Sequence, residues 1–293
     1  MAGLILEGGG MRAGFVAGAL MALMDKGLVD FDVALAVSAS IPTLAYFAAG
    51  QREDIERVWR EELNTPKLVC YRNIPAASLA LSPKRPVLNI DYLVYEVFKK
   101  KYPLDIQALL NSKTRCLFAM TKTPDASLAF LSPGDNDIYS TFKAALAVPG
   151  CYPRAVRVGE SEYVDGGTVN PLPVKSLLDK KMHRLIAILT KPLDCESEPP
   201  NFLERALIWR YLHRYDWLWE KLWEAAHAYN EQVLLLEQLA QDRPARAFII
   251  SPENTLPARF ITRDRKKINR TIDLGYRKVE EIEDKIAQFL NHS

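Results

Sequence analysis

Histidine is scarce in this chain: His183, His213, His227 and His292 are the only four among 293 residues. All four lie in the second half, so a Ser-His-Asp triad would have to draw on His183, in a polar loop before a strand, or on residues still less well placed. Cysteine is equally sparse. Cys70, Cys116, Cys151 and Cys195 form no C-x-x-C pair and have no neighbouring histidines, which excludes a zinc pattern and a disulfide framework and fits a reducing compartment. Excess charge is missing too. With 38 basic against 36 acidic residues and a net charge of +2, no general field attracts nucleic acid, and no nucleic-acid partner is expected. No uncharged apolar run reaches the roughly 20 residues that a membrane span needs. The opening stretch AGLILE has neither a basic n-region nor a long apolar h-region, so the expectation is a cytoplasmic protein without a signal peptide.

What is present is core-forming sequence, 48% hydrophobic and 25% charged, enough for one large α/β domain or two smaller ones. Leu4-Ile5-Leu6, a glycine cluster and the apolar run of residues 15–23 predict strand, tight loop and buried helix, and residues 33–37 predict the next strand. Strand, helix and strand at this spacing make a βαβ unit with parallel neighbouring strands. The glycine loop and Ser38 then share the carboxyl edge of the sheet, where open α/β sheets place ligands.

Further on, helices are expected over residues 51–63 and 90–101, with an irregular or lid-like segment at 65–89. Strands are expected at 115–120, 127–131, 185–189 and 248–250, and a small-residue helix at 141–148. A turn is expected around Tyr163-Val164-Asp165-Gly166-Gly167. Residues 201–241 carry Trp209, Trp217, Trp219 and Trp223, and 267–289 read as a charged terminal helix. No repeat, low-complexity tract or linker divides the chain.

Gly8-Gly9-Gly10 lets the backbone turn sharply and aim several N–H groups at one anion, reinforced by the positive end of the following helix. That suits a dinucleotide phosphate cradle or the oxyanion hole of an acyl-transfer enzyme. The acidic residue a dinucleotide fold needs at the end of its second strand is absent, and Val37-Ser38-Ala39-Ser40 stands there instead. A serine on a strand-to-helix turn is a nucleophile elbow, here with Ala36 and Ser40 where G-x-S-x-G has glycines. Centring the elbow on Ser40 would bring Pro42 to a crowded position, which favours Ser38. The alternative is that both serines cap the next helix. Without a usable histidine the base could be an aspartate, and Asp165, ahead of two glycines, is the candidate; Asp-Gly is also an ordinary turn dipeptide.

Four motifs in order, LEGGGMRAG from Leu6, AVSAS from Ala36, AVPGCYP from Ala147 and VDGGTVNP from Val164, resemble the patatin-like phospholipases over about residues 2–190. The resemblance implies a three-layer α/β/α sandwich with a mostly parallel central sheet. It also implies one domain over residues 1–293, a core of about 2–190 with a helical region of about 201–293 packed on it. A Ser-Asp dyad follows, with Ser38 as nucleophile and Asp165 as base. Gly8, Gly9, Gly10 and Met11 would form the oxyanion hole, and Arg12, Gly166 and Gly167 would support the loops. The implied reaction is hydrolysis of a lipid or other acyl ester through an acyl-enzyme, with no metal and no organic cofactor. The family has glycine at the positions of Ala36 and Ser40, so the second reading is a catalytically weak or silent lipid- or partner-binding protein on the same fold.

Arg12 is expected to tether its loop to a carboxylate rather than to meet a phosphate. Trp219, Leu222, Trp223, Ala226, Tyr229 and Val233 form one helical stripe, expected to be core. Lys99-Lys100-Lys101 and the basic cluster at 263–270 read as solvated faces. Transient contact with a membrane surface is the minor expectation they leave open.

Overall fold

β1 (Ala2–Leu6) and β2 (Val33–Val37) form the parallel pair that the spacing demands, with Leu4 beside Ala34 and Leu6 beside Ala36. α1 (Gly14–Asp25) is the crossover between them, and α2 (Ser40–Ala48) leaves directly from the end of β2. The computed structural model describes residues 1–74, 86–123, 125–198 and 217–291.

The remaining strands are β3 (Arg115–Thr123), β4 (Ser127–Leu131), β5 (Val156–Val158), β6 (Ser161–Asp165), β7 (Arg184–Ile188) and β8 (Ala247–Ile250). They join into an eight-stranded sheet ordered β5-β6-β3-β2-β1-β7-β8, with β4 also on β3. The run β3-β2-β1-β7-β8 is parallel throughout, and the β4, β5 and β6 pairings are antiparallel. Parallel strands are covered on both faces, so they read as unbroken apolar runs. Alternate residues divide between the covers. Leu4, Leu6, Ala36 and Ile188 face a layer containing α1 and α2, whereas Ile5, Leu35 and Ala187 face the opposite layer. The expected three-layer α/β/α arrangement follows from this alternation.

α3 (Ile138–Ala145) begins a turn earlier than expected, because the Asp137 carboxylate caps it by accepting the Ser140 N–H at 2.8 Å. Tyr163-Val164-Asp165, expected on a turn, is instead the end of β6. Its backbone is held in the ladder to β3, and only Gly166–Thr168 forms the tight turn. α4 (Leu218–Gln241) and α5 (Arg265–Asn291) flank β8 in sequence. Trp209 and the side chain of Trp219 fall outside the described residues. Of the expected stripe on α4, Ala226, Tyr229 and Val233 are buried, but Trp223 is 45% exposed. The helix meets the sheet along Tyr229, Val233 and Leu236, and Trp223 lies off that face although Leu218, at the start of the helix, is buried.

α5 packs on α1 with the two backbones nearly touching. A Cβ built on Gly18 would stand 1.9 Å from the Ile272 carbonyl oxygen, and one on Gly275 would stand 1.9 Å from that of Phe15. Only glycine permits this approach. α5 thus lies against the helix that leads directly out of the glycine loop.

Candidate active site

The parallel register brings the ends of β1 and β2 together at the carboxyl edge of the sheet. A Cβ on Gly8 would lie 2.8 Å from the Ser38 Cβ, so the first glycine is required for the two loops to meet. Ser38 itself has φ 56°, the left-handed region that a non-glycine side chain rarely adopts. Such strain is the signature of an elbow, where the turn is tight enough to push the serine hydroxyl out above the sheet. The serine is no helix cap: no side chain caps the N-terminus of α2.

Ser40, the rival serine, points elsewhere. It is fully buried and its hydroxyl donates to the Glu7 carbonyl at 2.7 Å, binding the start of α2 to the end of β1. Ala36 is fully buried in the core as well. The elbow therefore accepts Ala36 and Ser40 where glycines were expected, and Ser40 adds a hydrogen bond.

Asp165 faces Ser38 from the end of β6. The Ser38 hydroxyl donates to Oδ2 at 2.5 Å, and the Gly167 N–H donates to Oδ1 at 2.7 Å. The backbone around the carboxylate is fixed independently, since Thr121 Oγ1 donates to the Asp165 carbonyl at 3.0 Å and the Asp165 N–H donates to the Ala147 carbonyl at 3.2 Å. Gly166 is needed for close approach, because a Cβ there would be 2.3 Å from the Ala119 carbonyl oxygen. Burial pushes the Asp165 carboxyl up to about 6, although the Ser38 and Gly167 hydrogen bonds favour its ionised form. A carboxylate of that basicity, hydrogen-bonded to a hydroxyl, can accept its proton. Cys151 does not compete: burial and the charge of Asp165 push its thiol up to about 12, leaving it protonated. His183 lies just before β7, at the opposite edge of the sheet.

In the glycine loop, Gly10 has φ 57°, and the amides of Gly9 and Gly10 have no acceptor among the described residues. Met11 differs from expectation. Its N–H donates to the Phe260 carbonyl at 3.1 Å, so that donor is already engaged. Gly8 serves by its lack of a side chain, and its carbonyl accepts from Thr190 Oγ1 at 3.2 Å. Among the described residues Arg12 forms no ion pair of the kind expected of a tether, and its buried Nε has no hydrogen-bond partner there.

Beneath the loop lies a group that sequence reasoning missed. The Thr190 N–H donates to Glu7 Oε2 at 2.6 Å, and Lys191 Nζ sits 4.2 Å above the centre of the Tyr229 ring. Burial raises the Glu7 carboxyl above its usual range, with Lys191, Thr190 and Arg12 opposing, and burial lowers the Lys191 ammonium. The only signal was position, Thr190 and Lys191 following the end of β7.

An apolar pocket opens beside Ser38, and Gly10, Ala39, Tyr46, Trp59 and Phe98 are among the residues that line it. Leu68 and Leu88, at the two ends of the segment 65–89, also line it. Among the described residues the tryptophan in its wall is Trp59, not one of the tryptophans of 201–241.

A model of the patatin-like phospholipase family matches residues 4–178, and one of a domain of unknown function (DUF6363) matches residues 215–291. The uncharacterized protein YjjU of Escherichia coli strain K12 is 27% identical over 208 residues, which are 68% of this chain and 54% of that protein. The chain thus spans about half the length of this curated relative. The crystal structure of VipD from Legionella pneumophila superposes with a TM-score of 0.55 at 14% identity, over 97% of this chain and 67% of that one. Human GIVD cytosolic phospholipase A2 gives a TM-score of 0.45 at 13% identity, over 99% of this chain and 59% of that one. With more than half of its length matched by the family model, and with the sheet and layers that family requires, the chain belongs to the patatin-like phospholipases.

Proposed function

We propose that the protein hydrolyses acyl esters of lipids through a Ser38–Asp165 dyad. The observation that carries this reading is the 2.5 Å hydrogen bond from a strained, elbow-borne Ser38 to a buried Asp165, at the mouth of an apolar pocket. The acyl chain enters the pocket with its carbonyl carbon beside Ser38 Oγ. As Oγ attacks, its proton passes to Asp165, and the oxyanion that forms is held by the N–H groups of Gly9 and Gly10. Collapse breaks the ester bond, and the leaving alkoxide takes the proton back from Asp165. Water then repeats the sequence on the acyl-enzyme, Asp165 accepting its proton, to release the fatty acid and free Ser38.

The proposal includes one catalytic unit over both matched regions, supported by β8 within the sheet and by α5 against α1. It places the enzyme in the cytoplasm with transient access to lipid surfaces; no helix among the described residues is long and apolar enough to cross a membrane. Hydrolysis of p-nitrophenyl esters of increasing chain length tests the activity. Turnover by wild type and none by Ser38→Ala is the expected result, and equal rates for the two would refute it.

A further inference from the structure

The patatin-like match ends at residue 178, yet a wall of the pocket beside Ser38 comes from far beyond it. Phe260 lies in the stretch between β8 and α5, within the region matched only to a domain of unknown function. Besides accepting the Met11 N–H, it presses on Gly10 so closely that a Cβ there would stand 2.3 Å from its carbonyl oxygen and 2.9 Å from its ring. The same stretch is clasped to residues that directly follow Leu68, a lining residue of the pocket. The Tyr71 hydroxyl donates to the Ile261 carbonyl at 2.7 Å, Arg263 donates to the Val69 carbonyl at 3.4 Å, and its guanidinium sits 4.8 Å from the centre of the Tyr71 ring.

We infer that residues 259–263 form a strap that completes the active site, and that Phe260 on it sets acyl selectivity. This rests on the hydrolase reading. The main-chain oxygen of Phe260 anchors the peptide that follows Gly10, holding the glycine loop at its positive φ while the Gly9 and Gly10 amides stay unengaged. The ring packs against the same loop, next to the place where the acyl carbonyl must sit. It therefore fills the space that a branch on the carbon adjoining the carbonyl would need. Straight chains pass it, and branched ones collide with it. Phe260 is thus a selectivity residue through its ring and a positioning residue through its backbone, which gives the domain of unknown function a task.

The two roles separate by mutation. Phe260→Ala is expected to raise kcat/KM for p-nitrophenyl isobutyrate relative to p-nitrophenyl butyrate by about tenfold, the scale on which hydrophobic pockets discriminate single carbon groups. Tyr71→Phe removes one clasp of the strap and leaves the ring in place, so kcat falls for both esters with their ratio unchanged. Thermal melting verifies that each variant folds, and Phe260→Leu, which retains bulk, supplies an intermediate ratio if the alanine variant does not fold.

A readout without turnover is displacement of a fluorescent fatty acid from Ser38→Ala protein. Dodecanoate is expected to displace it better than 2-methyldodecanoate, and adding Phe260→Ala narrows that preference by about the same factor. If wild type cleaves neither ester, the hydrolase reading fails, while the displacement assay still decides the role of Phe260. An ester ratio unchanged in a folded Phe260→Ala enzyme that cleaves both esters, or an unchanged displacement preference, overturns this inference and leaves the hydrolase reading standing.

Discussion

Asp165→Asn is expected to make the protein more stable at neutral pH while abolishing its activity. Asp165 is 3% exposed, and its carboxyl is raised from 3.8 to about 6 with desolvation as the largest cause. A group whose folded value lies above its unfolded one binds more protons when folded. Its stabilising contribution is present below about pH 4 and is lost as pH rises through about 6. At about 1.4 kcal/mol for each pH unit between those two values, the loss comes to about 3 kcal/mol. Asparagine retains an oxygen for the Gly167 N–H and an amide that can donate to Ser38 Oγ, but it carries no charge to desolvate. Urea unfolding of both proteins, followed by tryptophan fluorescence from pH 4 to pH 8, measures the difference. Stability of the variant relative to wild type should rise by about 3 kcal/mol across that range. Glu7 also titrates abnormally, but it is present in both proteins and cancels in the comparison. A difference that does not change with pH, or a variant less stable than wild type at pH 8, would refute the reasoning.

The same carboxyl governs rate. Since Asp165 must be ionised to accept the proton, kcat/KM for a p-nitrophenyl ester should fall tenfold per pH unit below about 6 and level off above it; a profile flat down to pH 5 would contradict this. Packing can be tested independently at the crossing of α1 and α5. Gly275→Ala forces a Cβ to within 1.9 Å of the Phe15 carbonyl oxygen, and a loss of about 1–3 kcal/mol or more in chemical denaturation is expected.

The parallel core was legible because buried strands of Val, Leu, Ile and Ala alternate with an apolar helix, a pattern with few other solutions. Ser38 was legible because only one strand end carries a serine one crossover after the glycines. The position of Asp165 relative to Ser38 was readable only through the order of motifs, since β6 reaches β3 by a long-range antiparallel pairing that no local pattern encodes. For the same reason the sequence around Tyr163 to Asp165 reads as a turn. The Met11 amide reads as free because its acceptor, Phe260, is nearly the whole chain away, and nothing local to the glycine loop announces it. Trp223 misleads through a regular helical stripe, because periodicity alone does not tell which members of the stripe are covered in the fold.

The central claim is that Ser38 is an activated nucleophile with Asp165 as its base. A fluorophosphonate probe, followed by peptide mass spectrometry to locate the adduct, tests it most directly. The account predicts an adduct on Ser38 in wild type and in Ser40→Ala, none in Ser38→Ala, and labelling slowed at least about a hundredfold in Asp165→Asn, the scale on which a positioned general base acts. An unlabelled wild type, or an adduct on any other residue, would contradict it.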